Sequence, residues 1–243
     1  MSDSAFLGFF PYLPLQGAYD VGEWRLQPVD DYQGSWVSTD FEDLSRKFLR
    51  SFRRVDGSRL ERVYVVVHRE RGIDGQLPSE AERESLQASV HLAVLDRAQP
   101  PDDENNGLFT ATSDNCQLFF WRLHLDGWVT LDRGSIVQVS TGGHKISDQL
   151  LVPAPLELHM PFPFLIDAEL LRVTYDILML GLTGDGNDDN ETTRMAKAIG
   201  LAIGWLSKAW RNSPSIGIDD RIVFLKTGFE ALSRKSDSYE CSK

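Results

Sequence analysis

"RVYVVVH", residues 62 to 68, is the stretch on which the fold turns. Its run of β-branched and aromatic residues fits a pleated surface better than a helix, and its unbroken apolar character from Val63 to Val67 predicts a strand that is largely buried. Helix signals flank it on both sides. Upstream, Thr39-Asp40-Phe41-Glu42 has the S/T-x-x-E form of a capping box, and Phe41, Leu44, Phe48 and Phe52 then recur on one helical face. Downstream, Ser79-Glu80-Ala81-Glu82 repeats the device, with Leu86, Val90, Ala93 and Val94 as the buried stripe of a second helix that fades near Arg97.

Beyond a polar loop, QPPDDENNG from Gln99, strand signals follow in quick succession: LFTAT, QLFFWRLHL, WVTL and SIVQVST. They are separated by SDN, DG and DRG, which are turn-forming pieces, so an antiparallel meander is expected. The class is therefore α+β, an N-terminal antiparallel sheet with helices packed on one of its faces. Composition changes at VPAPLELHMPFPF, where Pro153, Pro155, Pro161 and Pro163 interrupt regular structure. This divides the chain into an α+β domain, 1–155, and a helical domain, 162–243. In the second, helices are expected over 166–182, 191–211 and 219–233. Met195, Ile199, Ala202, Leu206 and Trp210 form a packing stripe on the middle one, and Ile222, Leu225, Phe229 and Leu232 form a row on the last.

The 243-residue chain is 42% hydrophobic and 25% charged, which excludes wholesale disorder. Cys116 and Cys241 show no metal-like or CxxC spacing, and the N-terminus has no basic leader. The longest apolar run, AIGLAIGWL from Ala198, is short of a membrane span. A soluble cytoplasmic protein with no membrane partner is the expectation. A net charge of −11 argues against a surface that binds nucleic acid everywhere. One patch runs the other way: between Arg46 and Arg71 nine basic residues face three acidic ones, a local charge of +6. Within it Arg53, Arg54, Arg59 and Arg62 are the candidate phosphate contacts, against the plainer reading of a solvated helix face and strand edge.

The C-terminal pattern carries a resemblance. "AIGWLSKAWRNS", a short loop and then "DDRIVFLKTGFEAL" resemble the Apea-like branch of the HEPN superfamily over roughly residues 164–235. The match rests on Asp220, Arg221, Leu225, Thr227, Glu230, Ala231 and Leu232, with Phe229 on the same helix. It implies a HEPN-like helical bundle, here partial. It also implies an RNA-directed protein of a bacterial defence or stress system, either a metal-independent ribonuclease or an RNA-binding relative, working as a homodimer or with a partner protein through the helical domain. The family's chemistry uses an R-x4-6-H pair, in which the His moves a proton while the Arg steadies phosphoryl charge. No such pair follows Leu232. The expectation is a truncated or non-catalytic member with no catalytic residues in this chain. Alternatives are a protein–protein interaction or dimerisation module, or the N-terminal part of a longer endoribonuclease.

Arg62 and His68 form an R-x5-H by sequence, but as a strand they stand roughly 20 Å apart, too far to share a phosphate. In GDGNDDNE, Asp185, Asn187 and Asp189 have calcium-loop spacing, yet Asn190 replaces the needed glycine and Ala196 the bidentate glutamate. A solvated loop ending in a helix cap is the reading, with a weak cation site as the alternative. STGGHK from Ser140 is read as a hairpin turn whose His144 and Lys145 could touch an anion. His68, His91, His124, His144 and His159 share no ligand spacing, so neither metal nor cofactor is expected.

Overall fold

The computed structural model describes residues 4–13, 15–52, 57–60, 62–73, 77–97, 116–124, 128–131, 144–145, 165–183, 190–210 and 216–233. Its centre is strand β1 (Ser4–Phe10), hydrogen-bonded antiparallel to β4 (Tyr64–His68) on one side and to β5 (Phe119–His124) on the other. Outward from β4 lie β3 (Trp24–Pro28) and β2 (Tyr19–Val21); outward from β5 lie β6 (Trp128–Leu131) and β7 (His144–Lys145). The result is one seven-stranded sheet in the order β2-β3-β4-β1-β5-β6-β7, antiparallel at every pairing. Strands β5 and β6 are two strands of the expected meander; β7 falls on His144 and Lys145, which corrects the reading of those two residues as part of a hairpin turn. The expected strands over 108–112 and 135–141 lie outside the described residues.

Both faces of the sheet centre are covered, which corrects the expectation of helices on one face. The alternation of side chains along a strand makes the reason visible. Ala5, Leu7 and Phe9 of β1, Val65 and Val67 of β4, and Trp121 and Leu123 of β5 point to one side. There they meet Phe41, Phe48, Leu49 and Phe52, from helix α1 (Thr39–Leu49) and the turn after it. Phe9, Phe48 and Phe52 pack edge to face with ring centroids 5.2–5.6 Å apart. Phe10, Trp24, Leu26, Tyr64 and Val66 point to the other side. They meet Leu86, Val90, Ala93 and Val94 of helix α2 (Glu80–Arg97) and Leu171 and Tyr175 of helix α3 (Ala168–Thr183). Every residue of β4 is buried. An apolar run without alternation needs cover on both sides, and it has it.

The second capping box is present in full. Ser79 N–H donates to Glu82 Oε2 at 2.7 Å and Glu82 N–H to Ser79 Oγ at 3.3 Å. The other oxygen of Glu82 accepts from the Trp24 indole N–H at 2.9 Å, tying the start of α2 to β3. The first box is displaced by one residue. Ser38, not Thr39, caps α1 by accepting from Phe41 N–H, which leaves Glu42 to pair with Arg46 one turn on, at 2.9 Å. Two adjacent hydroxyl residues offer the same local chemistry, and the ion pair accompanies the earlier one.

Helices α3, α4 (Glu191–Ala209) and α5 (Ile218–Ser233) match the three expected C-terminal helices to within two residues at each end. Asp167 Oδ1 accepts from the N–H groups of Glu169 and Leu170 at the start of α3, and Asn190 Oδ1 from Thr193 N–H at the start of α4. The proline-rich stretch from Val152 to Phe164 lies outside the described residues. Past it, Ile166, Leu171 and Tyr175 share a buried cluster with Leu13, Leu26 and Leu86, and Ile166 N–H donates to the Tyr19 hydroxyl at 3.2 Å. Among the described residues no helix is long and apolar enough to cross a membrane.

Candidate docking groove

Helix α4 sits between α3 and α5, joined to each by a close approach at a glycine. A Cβ on Gly181 would stand 2.9 Å from the Ala196 carbonyl carbon, so α3 and α4 touch backbone to backbone there. On the other flank a Cβ on Gly228 would stand 3.3 Å from the Ala202 carbonyl oxygen, and the Trp205 and Phe224 rings lie 5.6 Å apart. Lys208 Nζ lies 4.1 Å over the Trp205 ring. Helix α2 meets α4 through His91 Nδ1 and Ser207 Oγ, 2.6 Å apart.

Gly228 is the one buried residue of α5 among those described. At 100° per residue, the line that touches α4 through Phe224 and Gly228 lies roughly 100° around the helix from the row of Ile218, Ile222, Leu225, Phe229 and Leu232. That row continues the 4-3-4-3 spacing seen in the sequence by one more residue, Ile218, and it is open. Ile222 is 57% exposed, Phe229 69% and Leu232 47%. The stripe expected to pack on α4 is open only at its ends. Ala202 is buried, Ile199 and Leu206 are half-buried, and the two ends, Met195 and Trp210, are exposed. This corrects the reading of that stripe as packed along its length: the inward face of α4 shares Ala202 with it and is otherwise built from Thr193, Ala196, Ile203 and Ala209.

The two stripes do not cover one another. The middle of the α4 stripe and the C-terminal half of the α5 row form the floor and one wall of a shared groove of about 290 Å³. Ile199, Ala202, Ile203 and Leu206 give the floor, Leu225, Phe229 and Leu232 one wall, and Leu92 of α2 the other. Leu92 stands off the stripe that α2 presents to the sheet, and a lone apolar residue there carried no signal before the helices were placed. Asp220 and Glu230 are exposed on α5, while Arg221 and Thr227 are half-buried. The residues that carry the family resemblance thus lie on a peripheral helix.

The basic patch is in part neutralised by the chain itself. Arg46 pairs with Glu42, donates to the Val29 and Tyr32 carbonyls at 3.1 and 3.3 Å, and lies over the Trp36 ring. Arg50 reaches Asp30 at 3.3 Å. Arg53 and Arg54 lie outside the described residues; Arg59 and Arg62 are exposed ahead of β4. His68 closes the other end of that strand. Its Nδ1 accepts the N–H groups of Glu70 and Arg71 at 3.2 Å each, which leaves the ring proton on Nε2, 3.4 Å from Glu23 Oε2. His68 thus holds a turn at the far end of the strand from Arg62.

Near it, burial raises the carboxyl of Glu82, but the hydrogen bonds from the Ser79 hydroxyl and backbone and the Trp24 indole, with His68 nearby, outweigh burial and hold it below the usual carboxylate range. Tyr175, close by, is pushed up to about 12 by burial and by the negative charges of Glu82, Asp176 and Glu23. Among the described residues no three His, Cys, Asp or Glu side chains are grouped to hold a metal ion. The calcium-like residues Asp185, Asn187 and Asp189 and the turn 140–143 lie outside the described residues, while His144 and Lys145 form the edge strand β7. Comparison with known proteins gives no match: no family model, no curated protein and no solved structure aligns with the chain.

Proposed function

We infer that the chain is a protein-binding module whose groove between α2, α4 and α5 receives an amphipathic helix. The observation that carries this reading is the opening of two apolar segments, Ile199 to Leu206 of α4 and Leu225 to Leu232 of α5, onto one groove in which Phe229 is 69% exposed. Contiguous exposed apolar surface of this kind marks interaction sites, and a trough between two helices suits a third helix with anchors three and four residues apart. At 1.5 Å per residue each lining segment runs about 10 Å, or two turns, so a four-turn helix is long enough to fill the groove. Titration of a fluorescent four-turn helical peptide with leucine on one face and glutamine on the other tests it. Saturable binding that is lost in Phe229→Asp is the expected result, and binding indifferent to that change would falsify the reading.

A second reading has its own observation. Arg59 and Arg62 are both exposed, and with the Apea-like HEPN resemblance of Asp220 to Leu232 they support an RNA-directed protein of a bacterial defence system. Its helical half would be a partial HEPN-like bundle. Each phosphate contact removed should flatten the salt dependence of binding, so Arg59→Ala with Arg62→Ala should weaken single-stranded RNA binding and reduce its salt slope by about two. An unchanged slope would remove the reading.

A further inference from the structure

Along β1 and β5 the residues that alternate with Ala5, Leu7, Trp121 and Leu123 face helix α2, and toward one end of the two strands they cease to be core. Phe120 is buried, Phe6 is half-buried and Arg122 is exposed. The Phe120 ring lies across Gly8, where a Cβ would come within 2.6 Å of it. The rings of Phe6 and Phe120 therefore stand over successive same-face places of β1, which are about 7 Å apart.

Each ring carries a guanidinium. Arg122 Cζ is 4.6 Å from the centre of the ring of Phe6, its cross-strand neighbour, and Arg83 Cζ, from the first turns of α2, is 5.6 Å from the centre of the Phe120 ring. Among the described residues neither guanidinium forms an ion pair or a hydrogen bond. Carboxylates are not scarce: the chain has 36 acidic residues against 25 basic ones, and Arg25, Arg46, Arg50 and Arg172 each hold one. Glu82, next to Arg83, has one oxygen engaged by Ser79 and the other by Trp24.

We propose that Arg83 and Arg122 form a site for the phosphoryl group of a small phosphate monoester. The site stands apart from the groove, two and a half turns along α2 from Leu92. A guanidinium resting on an aromatic ring keeps the N–H fork at its edge free and is already restrained, so little order is lost when an oxyanion arrives. Two forks over places about 7 Å apart can grip one phosphoryl group from both sides, each through N–H···O bonds of about 2.9 Å. Charge selects the class of anion. A monoester carries nearly two negative charges at pH 7, matching two guanidiniums, whereas each phosphate of a nucleic-acid strand carries one. The chain's net charge of −11 repels a long polyanion and so favours a small ligand over a strand.

The test is titration calorimetry on the full 243-residue chain with adenosine monophosphate and with glycerol phosphate, against adenosine and a short single-stranded RNA with hydroxyl ends. Both monoesters should bind and adenosine should not. Arg83→Ala and Arg122→Ala should each weaken binding by about tenfold. Arg122→Lys, which keeps the charge and loses the fork, should not restore it. Affinity should fall between about pH 8 and about pH 5.5, as the monoester regains its second proton. Phe229→Asp should leave all of this unchanged, which separates the site from the groove. Arg122 is exposed, so its variants should keep the parent's urea midpoint and carry the result even if Arg83→Ala disturbs α2. No heat with either monoester at millimolar concentration overturns the proposal, as does binding unmoved by Arg122→Ala, or an RNA strand that binds more tightly than the monoesters.

Discussion

Strand β4 and helix α5 are both apolar and both flanked by charge, yet they end in opposite situations. Tyr64 to Val67 are buried on both faces, under Phe48 on one side and Leu86 and Val90 on the other. Helix α5 buries one glycine and leaves Ile222, Val223 and Phe229 more than half exposed. Apolar content alone therefore does not mark the core. What separates the two is whether the rest of the chain supplies a layer on each side. The sheet receives α1 on one face and α2 with α3 on the other, while among the described elements α5 packs chiefly on α4, along a line about a quarter-turn from its own apolar row.

The largest break in this contrast should come at the sheet. Phe48 is fully buried against Phe9, Phe52 and Trp121. Phe48→Ala leaves a cavity that neighbouring aromatic rings cannot fill, and it should cost about 3–5 kcal/mol, read as a lower urea midpoint at unchanged slope.

An intermediate effect is expected where α2 meets the sheet. Because the folded Glu82 carboxyl is held below its ordinary value of 4.5, the folded chain takes up that proton less readily than the unfolded one. Its contribution is therefore present above about pH 4.5 and lost as pH falls through the lower folded value. Glu82→Gln keeps an oxygen for the Trp24 indole but carries no charge. It should lower the urea midpoint at pH 7 and flatten the further loss of stability as pH falls below about 4.5, and an acid limb as steep as that of the parent chain would show that Glu82 is not the group responsible.

The smallest effect belongs to α5. Phe229→Ser at micromolar concentration should change stability by no more than about 0.5 kcal/mol, because the ring is solvated before and after unfolding. A loss near that of Phe48→Ala would mean that the ring is covered in solution, and raising the protein concentration would tell whether another copy covers it.

Much of the local structure was legible because it is written in short-range chemistry. The Ser79–Glu82 box, the stripe from Leu86 to Val94, the strand at Tyr64–His68 and the bounds of α3 to α5 all follow from spacing and capping. Two central features were not. Strand β1 carries AFLGFF, an unbroken apolar run that periodicity alone does not tell from a buried helical segment. The opposed helix layers follow from β4 having no polar face, but that pattern does not say which helix takes which side. At the groove the sequence displayed both stripes. It could not show that they open side by side, because that depends on Gly228 drawing α5 onto α4 along a different line. The basic patch shows a third kind of limit. A count of charges cannot see that Arg46 and Arg50 are already engaged by Glu42, by backbone carbonyls and by Asp30.

The position of β1 has a consequence for how the chain is made. Of the described strands the central one is synthesised before the others, and its two neighbours are separated from it by the chain up to Tyr64 on one side and up to Phe119 on the other. During synthesis β1 can pair along its first edge once His68 has emerged, but its second edge waits for about 50 further residues, which at 5–20 residues per second is a few seconds. Through that interval a strand reading AFLGFF has an unpaired apolar edge, and pairing so distant in sequence is slow to form. A nascent chain stalled before Phe119 should therefore engage ribosome-associated chaperones more strongly than one stalled after His124.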